Sequence, residues 1–171
     1  MAPRSIRSFA LVGLSAAALA ACAPTTGYAP PRALAPAVFQ PQDFAWSAAA
    51  GQGAIDGRVD YRQGGQVFAC VGSVGLTPDP PYTRQRFHTL YGSTERAAVP
   101  AAVVRARDVP DPNADYRAFV RSTRCENGRF SFTGLPSGSW FVIAPVRAEG
   151  GEPVVLMQRL DVRNGTLDVV L

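Results

Sequence analysis

The residue types that most often carry catalysis or bind metals are scarce and scattered in this chain. His88 is the only histidine, and no cluster of His or Cys surrounds it that could complete a metal site. Asp108 and Asp111 could act as an acid–base pair or bind calcium. Their Asp-Val-Pro-Asp-Pro-Asn stretch, however, lacks the alternating oxygen ligands of a calcium loop and is typical of a turn-rich loop. Neither a Gly-x-Ser-x-Gly motif nor a phosphate-binding loop is present. The sequence therefore predicts no catalytic residues, no metal site, no cofactor and no enzymatic activity.

The N-terminal residues have the features of a secretion signal. Arg4 and Arg7 precede an uncharged apolar run over residues 9–21, which is shorter than the ~20 residues that a membrane-spanning helix needs. The run ends in Leu19-Ala20-Ala21-Cys22, which resembles the lipobox of bacterial lipoproteins. The resemblance implies cleavage before Cys22, lipidation of its thiol and new amino group, and a membrane anchor. Because Ala23 follows rather than Asp, it also implies the outer membrane, facing the periplasm. Ordinary signal cleavage is the alternative, since the small residues here match that rule as well.

Two further cysteines, Cys70 and Cys125, form an even pair if Cys22 is lipidated. An exported protein folds in an oxidising compartment, so the pair predicts a disulfide. It would close a loop of about 55 residues and stabilise the fold by ~4 kcal/mol. The alternative is two buried free thiols.

Composition and charge limit both the fold and the partners. Hydrophobic residues make up 47% of the chain and charged residues 18%, which is enough to build a core. The 16 Gly and 15 Pro are too many for a helix bundle and suit short strands joined by turns. Removing residues 1–21 leaves 15 Arg against 13 acidic residues, or +2. This near balance gives no electrostatic case for nucleic acid, and we predict no nucleic-acid partner.

The chain divides into a leader (1–21), an Ala/Pro-rich tether (22–53) and a β domain (54–171). Phe39, Phe44 and Trp46 interrupt the tether and could dock on the domain or on a partner. Period-two alternation begins at Ile55. Strands are predicted for residues 55–61, 67–77, 116–123, 129–133, 140–146, 153–162 and 167–171, with hairpins at Asn127-Gly128 and Asn164-Gly165. This pattern of about seven strands predicts an all-β sandwich.

One stretch within the β domain carries a family resemblance. Residues 127–142 read Asn-Gly-Arg-Phe-Ser-Phe-Thr-Gly-Leu-Pro-Ser-Gly-Ser-Trp-Phe-Val, with a Gly turn, a Phe-x-Phe pair, a Leu-Pro-x-Gly corner and an aromatic-x-Val strand. They resemble the signature of carboxypeptidase regulatory-like domains. The resemblance covers residues 54–146 and implies a single Greek-key, transthyretin-like sandwich. It specifies a fold and not a chemistry.

The long segment between the second and third predicted strands, residues 82–115, is unusual for a small sandwich, and connections of this length are often functional. We call it the excursion. Thr83 could cap a short helix that carries Phe87, Leu90 and Tyr91 and ends at Gly92, and residues 99–107 could form an edge strand. Tyr and Arg are favoured at interfaces, which makes part of the excursion a candidate partner-binding surface: Tyr82, Arg84, Arg86, Tyr91 and Arg96. The alternative is that its apolar residues only pack onto the sheet.

Two functions fit these features. The first is a non-enzymatic envelope lipoprotein whose sandwich is a structural or protein-binding module, with an envelope protein as partner. The second is a carbohydrate-binding module, with peptidoglycan as a possible ligand. Exposed Trp or Tyr side chains in a row would favour the second. We expect Trp140 to be buried in the core, which leaves Trp46 and scattered tyrosines.

Overall fold

The structure, a computed structural model, describes residues 37–107, 109 and 115–171. Cys22, the leader, the first part of the tether, Asp108 and Asp111 lie outside the described residues. The described residues all belong to one compact unit, Ala35–Leu171. Among them, neither helix has the length and apolar character that crossing a bilayer requires.

The described chain is mostly β, with ten strands and two short helices. The first five strands are β1 (Gly53–Arg58), β2 (Tyr61–Gln63), β3 (Gln66–Cys70), β4 (Ser73–Pro78) and, after helix α1 (Pro81–Tyr91), β5 (Arg96–Pro100). Helix α2 (Ala101–Ala106) follows. The chain continues with β6 (Arg121–Arg124), β7 (Arg129–Leu135), β8 (Gly138–Arg147), β9 (Val154–Val162) and β10 (Gly165–Val170).

The strands form two sheets of unequal size. The smaller sheet has three strands in the order β10-β1-β7. The larger has seven, in which β8 is central and pairs with β3, β4 and β9, while β5 pairs with β9. Apolar side chains of both sheets meet in one main core that includes Ile55, Phe132, Leu135, Trp140 and Val142. The predicted all-β sandwich is therefore confirmed, including the burial of Trp140, which is fully inaccessible to solvent.

Several predicted strand boundaries were wrong for identifiable reasons. The strand expected over residues 67–77 is two strands, β3 and β4, because the chain turns at Gly72, whose φ of 85° is in the left-handed region. The strand expected over residues 116–123 begins only at Arg121. A 3-10 turn, Tyr116–Phe119, precedes it and turns both aromatic rings onto the domain. These differences, with the short strand β2 and the edge strand β5, raise the number from seven to ten.

The two predicted hairpins have different outcomes. Asn127 and Gly128 both have positive φ, 50° and 75°, and form a tight turn that the Glu126–Arg129 bridge closes, but β6 and β7 lie in different sheets, so the prediction is confirmed for the turn and not for a paired hairpin. The second hairpin, at Asn164-Gly165, was wrong. Before Gly165 the chain crosses to the smaller sheet, where β10 pairs in parallel with β1, with Ile55 opposite Leu167.

The excursion differs from its prediction in two respects. Helix α1 forms and ends at Gly92 as predicted, with a left-handed φ of 74°, but it begins at Pro81 and Thr83 is not its cap. Proline fits the first turn because it has no N–H to leave unpaired. The predicted edge strand over residues 99–107 was also wrong. The edge strand is β5, and Pro100 then starts helix α2 in an alanine-rich stretch.

Part of the predicted tether belongs to the folded domain. Phe44 is fully buried and stacks on Phe119 with ring centroids 4.9 Å apart. Ser47 is also buried, and its backbone carbonyl accepts a hydrogen bond of 2.7 Å from Nη2 of Arg121. Trp46 meets Trp140 edge-on at 5.0 Å. Phe44 and Trp46 therefore dock on the sandwich, which is the first of the two alternatives for the aromatic residues of the tether.

The predicted disulfide between Cys70 and Cys125 is present, with the two Cα atoms 6.0 Å apart. It joins Cys70, the last residue of β3, to Cys125, the residue after β6. The bond therefore links two strands of the larger sheet that do not pair with each other. The S–S bond excludes the alternative of two buried free thiols, and Cys125 packs against the main core.

Candidate binding cleft

The unequal sheets leave part of the larger sheet uncovered. The main core includes Leu156 of β9 but no residue of β5, its partner at the edge. Ala98 lies opposite Leu156 in the pairing and is exposed. Because the smaller sheet does not extend over β5, a cleft of about 340 Å³ opens beside β5 and β9. This volume is near the lower end of the ~300–1,000 Å³ typical of small-molecule sites.

The floor and one wall of the cleft are apolar. Ala98 and Leu156, opposite each other in β5 and β9, supply its apolar side chains, whereas the adjacent Ala97 and Met157 turn theirs to the other face of the sheet, towards Phe87 of α1. Tyr61 and Leu171 supply the wall, and both pack against the main core.

Three contacts hold the wall in place. The Tyr61 ring meets Phe68 edge-on at 5.1 Å. The backbone of Leu171 accepts a 2.8 Å hydrogen bond from the N–H of Asp60 and donates one of 2.9 Å to the carbonyl of Arg58. The Tyr61 ring is therefore supported by Phe68 of the neighbouring strand β3, and the backbone beside it is held to the end of β10.

The polar rim of the cleft consists of Arg96 and Gln158, which lie opposite each other in β5 and β9. Nη2 of Arg96 donates a 2.8 Å hydrogen bond to Oε1 of Gln158. The start of β5 is fixed by the Ser93 hydroxyl, which accepts hydrogen bonds from the backbone N–H groups of Glu95 and Arg96 at 3.1 and 3.3 Å. An aromatic wall, an apolar floor and a few oriented polar groups are the usual components of a small-molecule site.

The structure does not bring the predicted partner-binding residues together on one surface. Tyr82 is buried in an aromatic cluster, with its ring 5.5 Å from Phe39 and 5.9 Å from Tyr116. Arg86 lies over the Tyr116 ring at 5.2 Å and donates a 2.8 Å hydrogen bond to the carbonyl of Val109. These two side chains hold the excursion to the domain.

Tyr91 also packs inward, edge-on to Phe87 at 5.3 Å. Its burial raises the pKa of its hydroxyl to about 12. Of the five predicted residues, only Arg96 lines the cleft. The alternative reading, that the apolar residues of the excursion pack onto the sheet, describes Phe87, which contacts Phe141 and Met157.

Arg84 belongs to a buried ionic cluster around Asp79. The Asp79 side chain is fully buried, and its two oxygens accept hydrogen bonds of 2.9 and 2.7 Å from Nε and Nη2 of Arg84. Nε of Arg159 donates a third, of 2.6 Å. Hydrogen bonding to Asp79 raises the pKa of both arginines. The cluster links the start of α1 to β9. Arg84 therefore helps to hold the fold together and is only partly available to a binding partner.

Other candidate residues from the sequence are also accounted for. Trp46 is half-buried against Trp140 and against Gly138, where an added Cβ would come within 2.3 Å of the indole ring. It is therefore a packing residue here. His88 is exposed on α1. Within residues 37–107, 109 and 115–171, no group of three or more His, Cys, Asp or Glu side chains is arranged to hold a metal ion.

Tyr61 and Gln158 are not among the site residues predicted from the sequence. Tyr61 ends a run of alternating residues, and nothing in the local sequence marks it. Gln158 interrupts the otherwise apolar start of β9, Val-Val-Leu-Met, and a polar residue in such a run was the available signal. Their convergence with Arg96 depends on which strands pair, and the pairing could not be read from the local pattern.

Comparisons with known proteins give a fold and no family. No family model matches the chain, and no curated protein matches it significantly. A crystal structure of a proposed carbohydrate-binding protein from Pseudomonas aeruginosa is similar, with a TM-score of 0.54 and 22% sequence identity. The match covers 78% of this chain and 96% of that one. At this identity the likeness supports the sandwich-like fold alone.

Proposed function

We propose that this protein is a non-catalytic binding module of the cell envelope, anchored by lipid on Cys22 in the outer membrane and facing the periplasm. The support is the Leu19-Ala20-Ala21-Cys22 sequence after a short apolar run. We also propose that the sandwich is of the carboxypeptidase regulatory-like type. Its signature residues Phe130, Phe132, Leu135 and Trp140 are all buried in the main core, as a structural signature requires.

The ligand that fits the cleft best is a carbohydrate. The observation that carries this proposal is the Tyr61 ring beside the Arg96–Gln158 pair, over an apolar floor. A sugar ring has an apolar C–H face that packs on an aromatic side chain, and a polar edge that needs planar hydrogen-bonding groups. The similar Pseudomonas protein, a proposed carbohydrate binder, is consistent with this choice.

Filling the cleft tests the proposal without disturbing the core. Ala98→Phe puts a large side chain on an exposed strand position in the floor, and Ala102→Phe, at an exposed position of α2, is the matched control. We expect the mature protein and the control to co-sediment with insoluble peptidoglycan or to bind soluble oligosaccharides, and Ala98→Phe to lose that binding. Equal binding by both variants would place the ligand outside the cleft.

An envelope protein is a second candidate partner. Helix α2 exposes Val103, whose accessible fraction is 39%, next to the exposed Arg105, and such a combination occurs at protein interfaces. Crosslinking in intact cells with wild type and Val103→Ser distinguishes this candidate, since a protein partner on α2 would be lost only in the variant.

Fractionation of cells carrying Cys22→Ser tests the anchor independently of any ligand. We expect the variant to leave the membrane fraction and to lose the mass of the acyl chains. Unchanged membrane association together with an unchanged N-terminal mass would reject the lipid anchor.

A further inference from the structure

The chemistry of the cleft rim restricts the kind of sugar that it can bind. Arg96 and Gln158 are joined by one hydrogen bond, from Nη2 of Arg96 to Oε1 of Gln158. A guanidinium has five N–H donors and no acceptor, so Gln158 must turn its oxygen towards Arg96. The Gln158 amide then has its two N–H donors left, and Arg96 retains its other N–H groups. Both rim side chains therefore present donors to a ligand.

Arg96 is also the one charged side chain among the described residues that line the cleft. Arg96 is exposed, and it makes no ion pair with any described residue. The described side chains that line the cleft include no carboxylate. By contrast, Arg84 and Arg159, on neighbouring elements, are both paired with Asp79. Arg96 is thus a cationic group beside an apolar floor, available to a ligand.

Neutral sugar hydroxyls both donate and accept hydrogen bonds, so a site for them usually offers acceptors as well as donors. A carboxylate only accepts, and its two oxygens match the planar fork of an arginine. On this basis, which rests on the carbohydrate function proposed above, we propose that the cleft binds an acidic sugar. The sugar ring packs against Tyr61, and its carboxylate is bound by Arg96 with support from the Gln158 amide.

The central comparison is between an acidic oligosaccharide and its methyl ester, which differ only in the carboxylate. Isothermal titration of the mature protein would use an oligogalacturonate, its methyl ester and acetate, and a muramic acid oligosaccharide as a second source of the same group. We expect the acid forms to bind about tenfold or more tightly than the ester, because a charge-assisted bidentate contact is lost on esterification. Acetate alone should bind far more weakly, since it lacks the ring that packs on Tyr61. The muramic acid arm distinguishes a peptidoglycan-type sugar from a uronic acid.

Substitutions at the rim assign the effect to named groups. Arg96→Gln should remove the preference for acid over ester, and Arg96→Lys should restore only part of it, because lysine lacks the planar fork. Gln158→Glu should weaken binding of the acid form, because the new carboxylate pairs with Arg96 and repels the ligand. Arg62→Gln is the matched control: its side chain is 69% exposed on the neighbouring hairpin and does not line the cleft. Thermal midpoints should stay within a few degrees of wild type.

The outcomes separate this inference from the function on which it rests. If acid and ester bind equally and Arg96→Gln changes neither, the acidic-sugar inference is wrong while the carbohydrate function stands. If no saccharide binds, both are wrong. If acetate binds as tightly as the oligosaccharide acid, the site recognises a carboxylate without a sugar, and the inference is again overturned.

Discussion

Replacing Asp79 with Asn should strongly destabilise the domain. The Asp79 side chain is fully buried and accepts hydrogen bonds from Arg84 and Arg159, whose side chains are 49% and 22% exposed. Asparagine keeps the shape but removes the charge and one accepting oxygen. Two guanidinium groups would then face a neutral amide, and the half-exposed Arg84 could turn to water. Removing one partner of a fully buried ion pair typically costs ~3–5 kcal/mol, and the exposure of the two arginines lowers the expected loss to ~2–3 kcal/mol.

Chemical denaturation followed by tryptophan fluorescence would measure this change in the free energy of unfolding. Asp161→Asn is the matched control, because Asp161 also contacts Arg159, at 3.3 Å, but its side chain is 62% exposed. Exposed pairs contribute ~0–1 kcal/mol, so the control should unfold nearly as the wild type does. Adding Arg84→Gln to each background gives the coupling energy with Asp79. If the Asp79 and Asp161 variants lost equal stability, the argument that burial makes the Asp79 cluster important would be refuted.

Three further perturbations address the packing of the N-terminal segment, the buried tyrosine and the disulfide. Phe44→Ala should lower the free energy of unfolding by ~3–5 kcal/mol because the ring is fully buried. Val38→Ala, at a residue 74% exposed, is the control and should lower it by almost nothing. Equal midpoints of the two variants in a thermal melt would mean that this segment does not pack on the domain. Burial raises the pKa of Tyr91 from 10.0 to about 12, so its contribution to the free energy of unfolding should be constant below pH 10 and fall as the pH rises to 12, because the unfolded chain ionises first. Tyr91→Phe should remove that part of the fall in pH-dependent denaturation. Reducing the Cys70–Cys125 bridge, which closes a separation of 55 residues, should lower the stability to urea by ~4 kcal/mol at most, and an unchanged midpoint after verified reduction would contradict this.

Features that depend on local chemistry were predictable from the sequence. The Asn127-Gly128 turn follows from two residues that tolerate positive φ, and the end of α1 at Gly92 follows for the same reason. Trp140 lies in an apolar run bounded by turn residues, and it is at the centre of the core. The disulfide prediction needed only the even number of cysteines that remains once Cys22 is set aside.

Features that depend on which strands pair were not predictable from the sequence. Asn164-Gly165 has the composition of a hairpin, but β10 pairs in parallel with β1 in the other sheet. Residues 116–119 alternate as a strand does, but they form a 3-10 turn, in which Tyr116 contacts Tyr82 and Phe119 contacts Phe44. The cleft could not be predicted for the same reason. Its residues Tyr61, Arg96 and Gln158 come from three separate strands, and only the strand pairing brings them together.

The parallel pairing of β1 with β10 also affects when the domain can fold. β1 lies between β7 and β10 in the smaller sheet, and β10 is the last described strand. One edge of β1 therefore stays unpaired until β10 is present. Contacts between distant parts of a chain form late and slowly because the loop must close first. A nascent chain without β10 therefore exposes one edge of β1 and stays short of its stable form. Pairing of β10 with β1 is therefore the contact that completes the smaller sheet, and we expect it to form late in folding.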